Sequence, residues 1–127
     1  MKVLDGLKYS KSHEWVKDLG DGCVLMGLTD YAQDQLGELV YINLPEEGDG
    51  VTAGETFADV ESVKAVTDVF SAVSGKVAEV NEDLLDNPQK VNEDPYGAWL
   101  VRISDVSESE ELMDGAAYQA LCASQAD

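Results

Sequence analysis

Residues 56–70, TFADVESVKAVTDVF, are the stretch that best reveals the fold. Two half-apolar runs, Phe57–Val60 and Val66–Phe70, flank a polar tip that contains Val63 and Lys64. Short apolar runs on either side of a polar segment predict a β-hairpin, although no Asn-Gly pair marks the turn. We therefore expect Lys64 at or beside the tip of a hairpin.

Short apolar runs also continue on both sides of this hairpin. Including its two arms, strands are expected at Tyr9–Val16, Cys23–Leu28, Leu39–Leu44, Thr56–Val60, Ala65–Phe70, Gly75–Val80 and Ala98–Ile103. Glycines separate most of these runs. Many short strands between frequent turns are typical of a sandwich or a barrel, so the sequence predicts a mainly β fold.

Two segments interrupt the β pattern with helical features. Thr29 is a candidate N-cap for a short internal helix, which Gly37 would end. Ser107 and Glu110 have the spacing of a capping box, and apolar residues share one face further along. A C-terminal helical segment is therefore expected over about residues 107–124.

Length and charge indicate one acidic domain. The 127 residues suit a single domain, predicted over residues 1–127 with a core at about residues 20–104. The formal net charge is −18, from 26 acidic and 8 basic residues. Such a field repels phosphate backbones and anionic lipid headgroups, so neither nucleic acid nor a membrane is expected as a partner. A monomer is expected.

Cysteine usage and the N-terminal residues bear on the compartment. Cys23 and Cys122 are far apart and in no metal-like spacing, so free thiols in a reducing compartment are expected. The first ten residues have neither the apolar region of a signal peptide nor the character of a transit peptide. A cytoplasmic protein is expected, with a mature protein of the mitochondrial matrix as the alternative.

Lys64 is the only basic residue between positions 18 and 75, and it lies among Asp59, Glu61 and Asp68. A lysine at a hairpin tip is accessible to a modifying enzyme, and its amine is a common site of acylation. A tethered acyl group would have a raised effective concentration wherever the protein docks. On these residues alone, a solvated lysine in a turn is the alternative.

Motifs in collinear order cover nearly the whole chain and resemble those of one family. They are Gly6–Tyr9, Ser12–Val16, Gly27–Gln33, Leu36–Glu38, Leu44–Glu46, Glu61–Ala65, Ser74–Val77, Val80–Glu82 and Asn92–Gly97. In this order the chain resembles the glycine cleavage system H protein family, whose lipoylation loop matches Glu61–Ala65. Biotin carriers usually place methionines on both sides of the modified lysine, whereas Val63 and Ala65 flank this one.

The resemblance implies a flattened β-sandwich of the lipoyl/biotinyl-carrier type, also called a barrel-sandwich hybrid. It implies lipoate attached to Lys64 by a lipoate ligase or lipoyl transferase, with recognition through the flanking residues Glu61, Ser62, Val63 and Ala65. Family members shelter the loaded arm in a surface cleft. The matching positions here are Ser12, Glu14 and Asp68, and the alternative for the two acids is an ordinary solvated surface.

The resemblance further implies a carrier that catalyses nothing by itself. Its arm would receive an aminomethyl group from glycine decarboxylase, present it to a tetrahydrofolate-dependent aminomethyltransferase, and be reoxidised by dihydrolipoamide dehydrogenase. The only histidine, His13, is expected on a strand, with Ser12 and Glu14 pointing to the opposite face, which argues against a catalytic role. Two alternatives stay open: a relay that donates lipoyl groups to other enzymes, and an unmodified acidic interaction module of the same fold.

Overall fold

The computed structural model describes residues 2–125. Its strands are β1 (Lys8–Tyr9), β2 (Glu14–Gly20), β3 (Cys23–Leu28), β4 (Leu39–Asn43), β5 (Gly50–Val51), β6 (Thr56–Ser62), β7 (Val66–Phe70), β8 (Val73–Val80) and β9 (Val101–Ser109). Its helices are α1 (Asp30–Leu36), α2 (Asp83–Asp86), α3 (Lys90–Glu93) and α4 (Gly115–Gln125). Within residues 2–125, no helix has the length and apolar character needed to cross a membrane.

The strands form two antiparallel sheets with a hydrophobic core between them. The larger sheet has the order β1-β2-β3-β9-β8-β5, and the smaller has the order β4-β6-β7. Ile42, Val60 and Val69 of the smaller sheet are buried in one cluster with Met26 and Ile103 of the larger sheet. Burying the apolar faces of both sheets against each other stabilises the fold. The predicted mainly β fold is confirmed.

A second cluster of buried side chains attaches α4 to the larger sheet. Tyr118 of α4 stacks on Tyr9, with ring centroids 4.6 Å apart and an angle of 9° between the ring planes. Trp15 belongs to the same cluster, and its Nε1 donates to the carbonyl oxygen of Pro95 at 3.0 Å. Gly27 is required beside it, because a Cβ there would lie 2.7 Å from the indole ring. These aromatic contacts hold the C-terminal helix in place.

The internal helix begins and ends as the sequence predicts. The Thr29 Oγ1 accepts a hydrogen bond from the Ala32 amide at 3.1 Å, which satisfies a free donor of the first turn. Gly37 ends α1 with a φ of 81°, and its amide donates to the carbonyl oxygen of Gln33 at 3.0 Å. A positive φ of this kind is readily adopted by glycine.

The C-terminal helix begins later than predicted. Ser107 lies within β9, so Ser107 and Glu110 form no capping box. The backbone of this segment forms hydrogen bonds within the larger sheet and beside it. Ser109 pairs with Val73, and the Glu110 amide donates to the carbonyl oxygen of Ala72 at 2.8 Å. Helix α4 begins at Gly115 instead.

Two further predictions are wrong in detail. Strand β9 begins at Val101 and not at Ala98, because the Ala98 amide donates to the carbonyl oxygen of Asp94 at 2.9 Å and so belongs to the preceding turn. His13 does not lie on a strand. It occupies a turn just before β2 with a φ of 74°, and its amide donates to the carbonyl oxygen of Ser10 at 3.1 Å. The alternation of side chains along a strand therefore does not direct His13 away from Ser12 and Glu14.

Candidate functional site

Strands β6 and β7 form the predicted hairpin, and Lys64 lies in its tip. Glu61 pairs with Val66 at the end of the ladder. The Ser62 Oγ accepts from the amides of Lys64 at 3.1 Å and Ala65 at 3.2 Å, and the Ser62 amide donates to the carbonyl oxygen of Ala65 at 2.8 Å. A serine side chain thus organises a turn that carries no Asn-Gly signal.

The tip rests on the segment that joins α1 to β4. The Val63 amide donates to the carbonyl oxygen of Glu38 at 3.0 Å. The Lys64 side chain passes over Gly37, where an added Cβ would lie 3.3 Å from Lys64 Cε. Lys64 is exposed. Within residues 2–125 the ion pairs join Lys90 with Asp83 and Arg102 with Glu79, so the Lys64 amine is in neither.

A cleft of about 300 Å³ lies between β7, α1, the turn before β2 and the end of α4. It is lined by Ser12, His13, Glu14, Leu28, Tyr31, Ala32, Gln35, Leu36, Val60, Thr67, Asp68, Val69 and Gln125. The three predicted cleft residues, Ser12, Glu14 and Asp68, are therefore brought together. Leu36 lines the cleft and the next residue, Gly37, lies beside the Lys64 side chain, so the cleft begins next to the tip.

Glu14 is a buried acid at this cleft. Its side chain is only 2% exposed, so the alternative of a solvated surface acid is wrong for this residue. The hydroxyls of Ser10 and Ser12 donate to Glu14 Oε1 at 2.7 and 2.6 Å. Burial raises the pKa of Glu14 from 4.5 to about 7, although these hydrogen bonds lower it. Asp68, in contrast, is exposed where it borders the cleft.

The residues around Lys64 differ in exposure. Glu61, Val63 and Ala65 are exposed, whereas Ser62 is 7% exposed. A modifying enzyme that approaches the tip would therefore meet Glu61, Val63 and Ala65 directly. Ser62 would affect recognition indirectly, because its hydroxyl determines the conformation of the turn.

Several residues of the cleft were missed by the sequence analysis. Tyr31 and Gln35 lie four positions apart on α1, a spacing that places both on one face of a helix and could have indicated them. His13 was assigned to a strand that it does not occupy. Gln125 reaches the cleft from the far end of the chain, and no local pattern connects it with the residues around it.

Two packed sheets with an exposed lysine at a hairpin tip define a fold of the lipoyl-domain type. The family model for the Glycine cleavage H-protein matches residues 7–125. The chain is 55% identical over 119 residues to the glycine cleavage system H protein of Lachnoclostridium phytofermentans, covering 94% of each chain. It is 54% identical over 120 residues to the probable glycine cleavage system H protein of Pyrococcus horikoshii, covering 92% of this chain and 90% of that relative.

A solved structure agrees with these relatives. The crystal structure of a glycine cleavage system H protein from Mycobacterium marinum matches with a TM-score of 0.89 at 35% identity, covering 93% of this chain and 97% of that one. The chain belongs to the glycine cleavage H-protein family.

Proposed function

We propose that this protein is the lipoate-bearing carrier of the glycine cleavage system, with the lipoyl arm joined to Nζ of Lys64. Membership of the family supports the system. The observation that carries the choice of residue is the exposed Lys64 at a tip shaped by Ser62, next to the opening of a cleft. An amide bond to Nζ removes the positive charge and lengthens the side chain.

The cleft suits a long apolar stem with a polar end. The apolar wall of the cleft is formed by Leu28, Ala32 and Leu36. Gly37 has no side chain and so leaves room for the Lys64 stem next to the cleft. When bound, lipoate supplies a disulfide that accepts an aminomethyl group and becomes a dithiol after that group has left. We propose that the protein holds the arm in this cleft, because apolar burial favours the stem.

The polar end of the cleft suits an amine. Ser12 and Glu14 offer hydroxyl and carboxyl oxygens, and Asp68 adds an exposed carboxylate. A cationic amine beside a carboxyl group favours the charged form of that group and lowers its pKa. Because the pKa of Glu14 without the arm is about 7, an arriving amine would shift Glu14 to the carboxylate near neutral pH.

The partners follow from membership of the system. We propose that glycine decarboxylase, the aminomethyltransferase and dihydrolipoamide dehydrogenase each act on the arm, and that the chain itself is their substrate and no enzyme. A lipoate ligase or lipoyl transferase would attach the arm by recognising Glu61, Val63 and Ala65 around Lys64. The net charge of −18 would direct the carrier to basic docking surfaces on these enzymes.

Intact mass spectrometry tests the attachment. Incubation with lipoate, ATP and a lipoate ligase should add one lipoyl group to the wild-type protein and none to Lys64→Ala, because only the tip presents its amine in the recognised loop. Lys76→Ala removes an exposed lysine of β8 and serves as the matched control, which should still be modified. A wild-type protein left unmodified, while an established H protein is modified in the same reaction, would contradict the proposal.

A further inference from the structure

We propose that helix α4 closes the end of the cleft distant from Lys64, and that His13 is the positioning residue through which it does so. The inference rests on the proposed function, because it concerns the cleft that the arm would occupy. Leu36, at the end of α1, lies near the attachment site, whereas Tyr31, at its beginning, lies near His13. His13 and Gln125 both line the cleft at that distant end.

The imidazole of His13 is held by α4 at both ring nitrogens. Nδ1 lies 2.8 Å from the Tyr118 hydroxyl, and Nε2 lies 2.9 Å from Oε1 of Gln125. A neutral ring satisfies both contacts, because Nε2–H donates to the amide oxygen and Nδ1 accepts from the hydroxyl. Burial lowers the pKa of His13, which favours this neutral form. The Tyr31 ring covers the imidazole from α1, with centroids 4.7 Å apart.

Tyr118 connects α4 to a second wall of the cleft. Its hydroxyl lies 2.6 Å from Oγ1 of Thr29, the N-cap of α1, and the side chain is fully buried. The Thr29 amide in turn donates to the carbonyl oxygen of His13 at 3.1 Å. One hydroxyl from the C-terminal helix therefore joins the turn that carries His13 to the beginning of α1, and it fixes the spacing of two cleft walls.

The backbone of His13 supports a role for its ring. A φ of 74° is uncommon for a residue with a β-carbon. Histidine adopts it more readily than most such residues, but glycine adopts it without the steric cost. The chain nevertheless places an imidazole there, and the ring contacts Tyr118, Gln125 and Tyr31. A residue kept in a costly conformation by its surroundings points to a function of its side chain.

Closure of this end would keep water from the cargo. An aminomethyl thioether that loses its carbon to water consumes one water molecule, breaks the carbon–sulfur bond, and yields formaldehyde, ammonia and a thiol that takes up a proton. His13 and Tyr118 would slow this loss by excluding water and by holding Ser12 and Glu14 in place, without touching the reacting atoms.

Variants with matched controls test this inference. Tyr118→Phe keeps the ring stacked on Tyr9 but removes the hydroxyl, and His13→Asn suits the positive φ but is too short to reach α4. Tyr9→Phe is the control, because it keeps the same ring stack but removes a buried hydroxyl that bonds to the backbone of Leu4, donating to its carbonyl oxygen at 2.7 Å. Lipoylated carriers would be loaded with glycine and the decarboxylase and separated from the enzyme, and the release of ammonia would then be followed.

Both variants should release ammonia at least about fivefold faster than wild type, because one lost hydrogen bond alone adds about that factor to a local opening equilibrium and each variant loses two. Tyr9→Phe should match wild type. Rates of ammonia release that only follow each variant's loss of thermal stability would indicate a structural role for His13 and Tyr118. Release from His13→Asn at the wild-type rate would overturn the inference.

Hydrogen exchange provides a readout that does not depend on lipoate. In protein without the arm, the amides of residues 12–14 and 29–32 should exchange faster in Tyr118→Phe than in Tyr9→Phe, with the sheets unchanged. Equal exchange would contradict the inference. If wild type takes no cargo at all, the proposed function fails, and the exchange measurement still decides whether α4 holds these walls together.

Discussion

Glu14 is an acid at a position where its charged form is costly. It is buried, and the hydroxyls of Ser10 and Ser12 compensate for only part of the lost hydration, so the pKa rises from 4.5 to about 7. Between these two values the folded protein binds more protons at this site than the unfolded chain does. The contribution of Glu14 to stability therefore falls as the pH rises from 4.5 to about 7, and it stays low above that.

Glu14→Gln should remove this dependence, because the amide keeps the shape of the side chain and does not titrate. The free energy of unfolding of the variant, relative to wild type, should rise by up to about 3 kcal/mol between about pH 5 and about pH 8. Urea denaturation at the two pH values measures this difference. Glu55→Gln, which alters an exposed acid, is the control, and a relative free energy that does not change with pH would contradict the prediction.

At the scale of elements, local signals predicted the parts of the fold that local chemistry determines. The Thr29 cap and the Gly37 stop defined α1, and two half-apolar runs on either side of a polar tip predicted the hairpin around Lys64. The predicted beginning of α4 was wrong because Ser109 pairs with Val73 in the larger sheet, a long-range contact that the capping-box pattern cannot reveal. The family resemblance predicted Ser12, Glu14 and Asp68 as cleft residues. It did not predict Gln125, whose contact with His13 spans 112 positions.

Through Asn92, helix α3 supports the hairpin that carries Lys64. Its Nδ2 donates to the carbonyl oxygen of Gly37 at 2.8 Å, and its Oδ1 accepts from the Leu39 amide at 2.9 Å. Between these two residues lies Glu38, whose carbonyl oxygen accepts from Val63 at the tip. Asn92 therefore fixes the segment on which the tip rests.

Asn92→Asp should make Lys64 a poorer substrate for the lipoylating enzyme, because the carboxylate cannot donate to Gly37. We expect a rise in KM for the carrier and a loss of about 1–2 kcal/mol in the free energy of unfolding. Steady-state lipoylation kinetics and urea denaturation measure the two effects. Gln89→Glu makes the same amide-to-acid change at an exposed position beside α3, and an equal rise in KM there would show that charge alone is responsible.

At the scale of the whole molecule, acidic residues outnumber basic ones by more than three to one, 26 against 8. Some of them lie on the smaller sheet near Lys64, where Asp59 pairs with Asp68 and Glu61 pairs with Tyr41. This charge favours association with basic surfaces and is screened by salt over about 8–10 Å at ordinary ionic strength.

Salt should therefore weaken docking of the carrier on its partner more than it slows the chemical step. The KM of the partner decarboxylase for the lipoylated carrier should rise with NaCl concentration, with kcat nearly constant, because screening slows association. Asp59→Asn should raise KM at low salt more than Glu82→Gln, which removes an equal charge before α2. A KM that does not change with salt would show that docking depends on apolar contact instead.

The hydroxyl of Ser62, which fixes the amides of Lys64 and Ala65, has a consequence for how the carrier is shared. On the proposed function, the anchor of the arm is already ordered in the free protein, so no loop would have to lose backbone entropy when an enzyme takes up the arm. The entropic cost of each visit is then confined to the torsions of the lysine stem and its acyl chain. Since that cost would be the same for every enzyme, differences in affinity among the proposed partners would arise from their own surfaces.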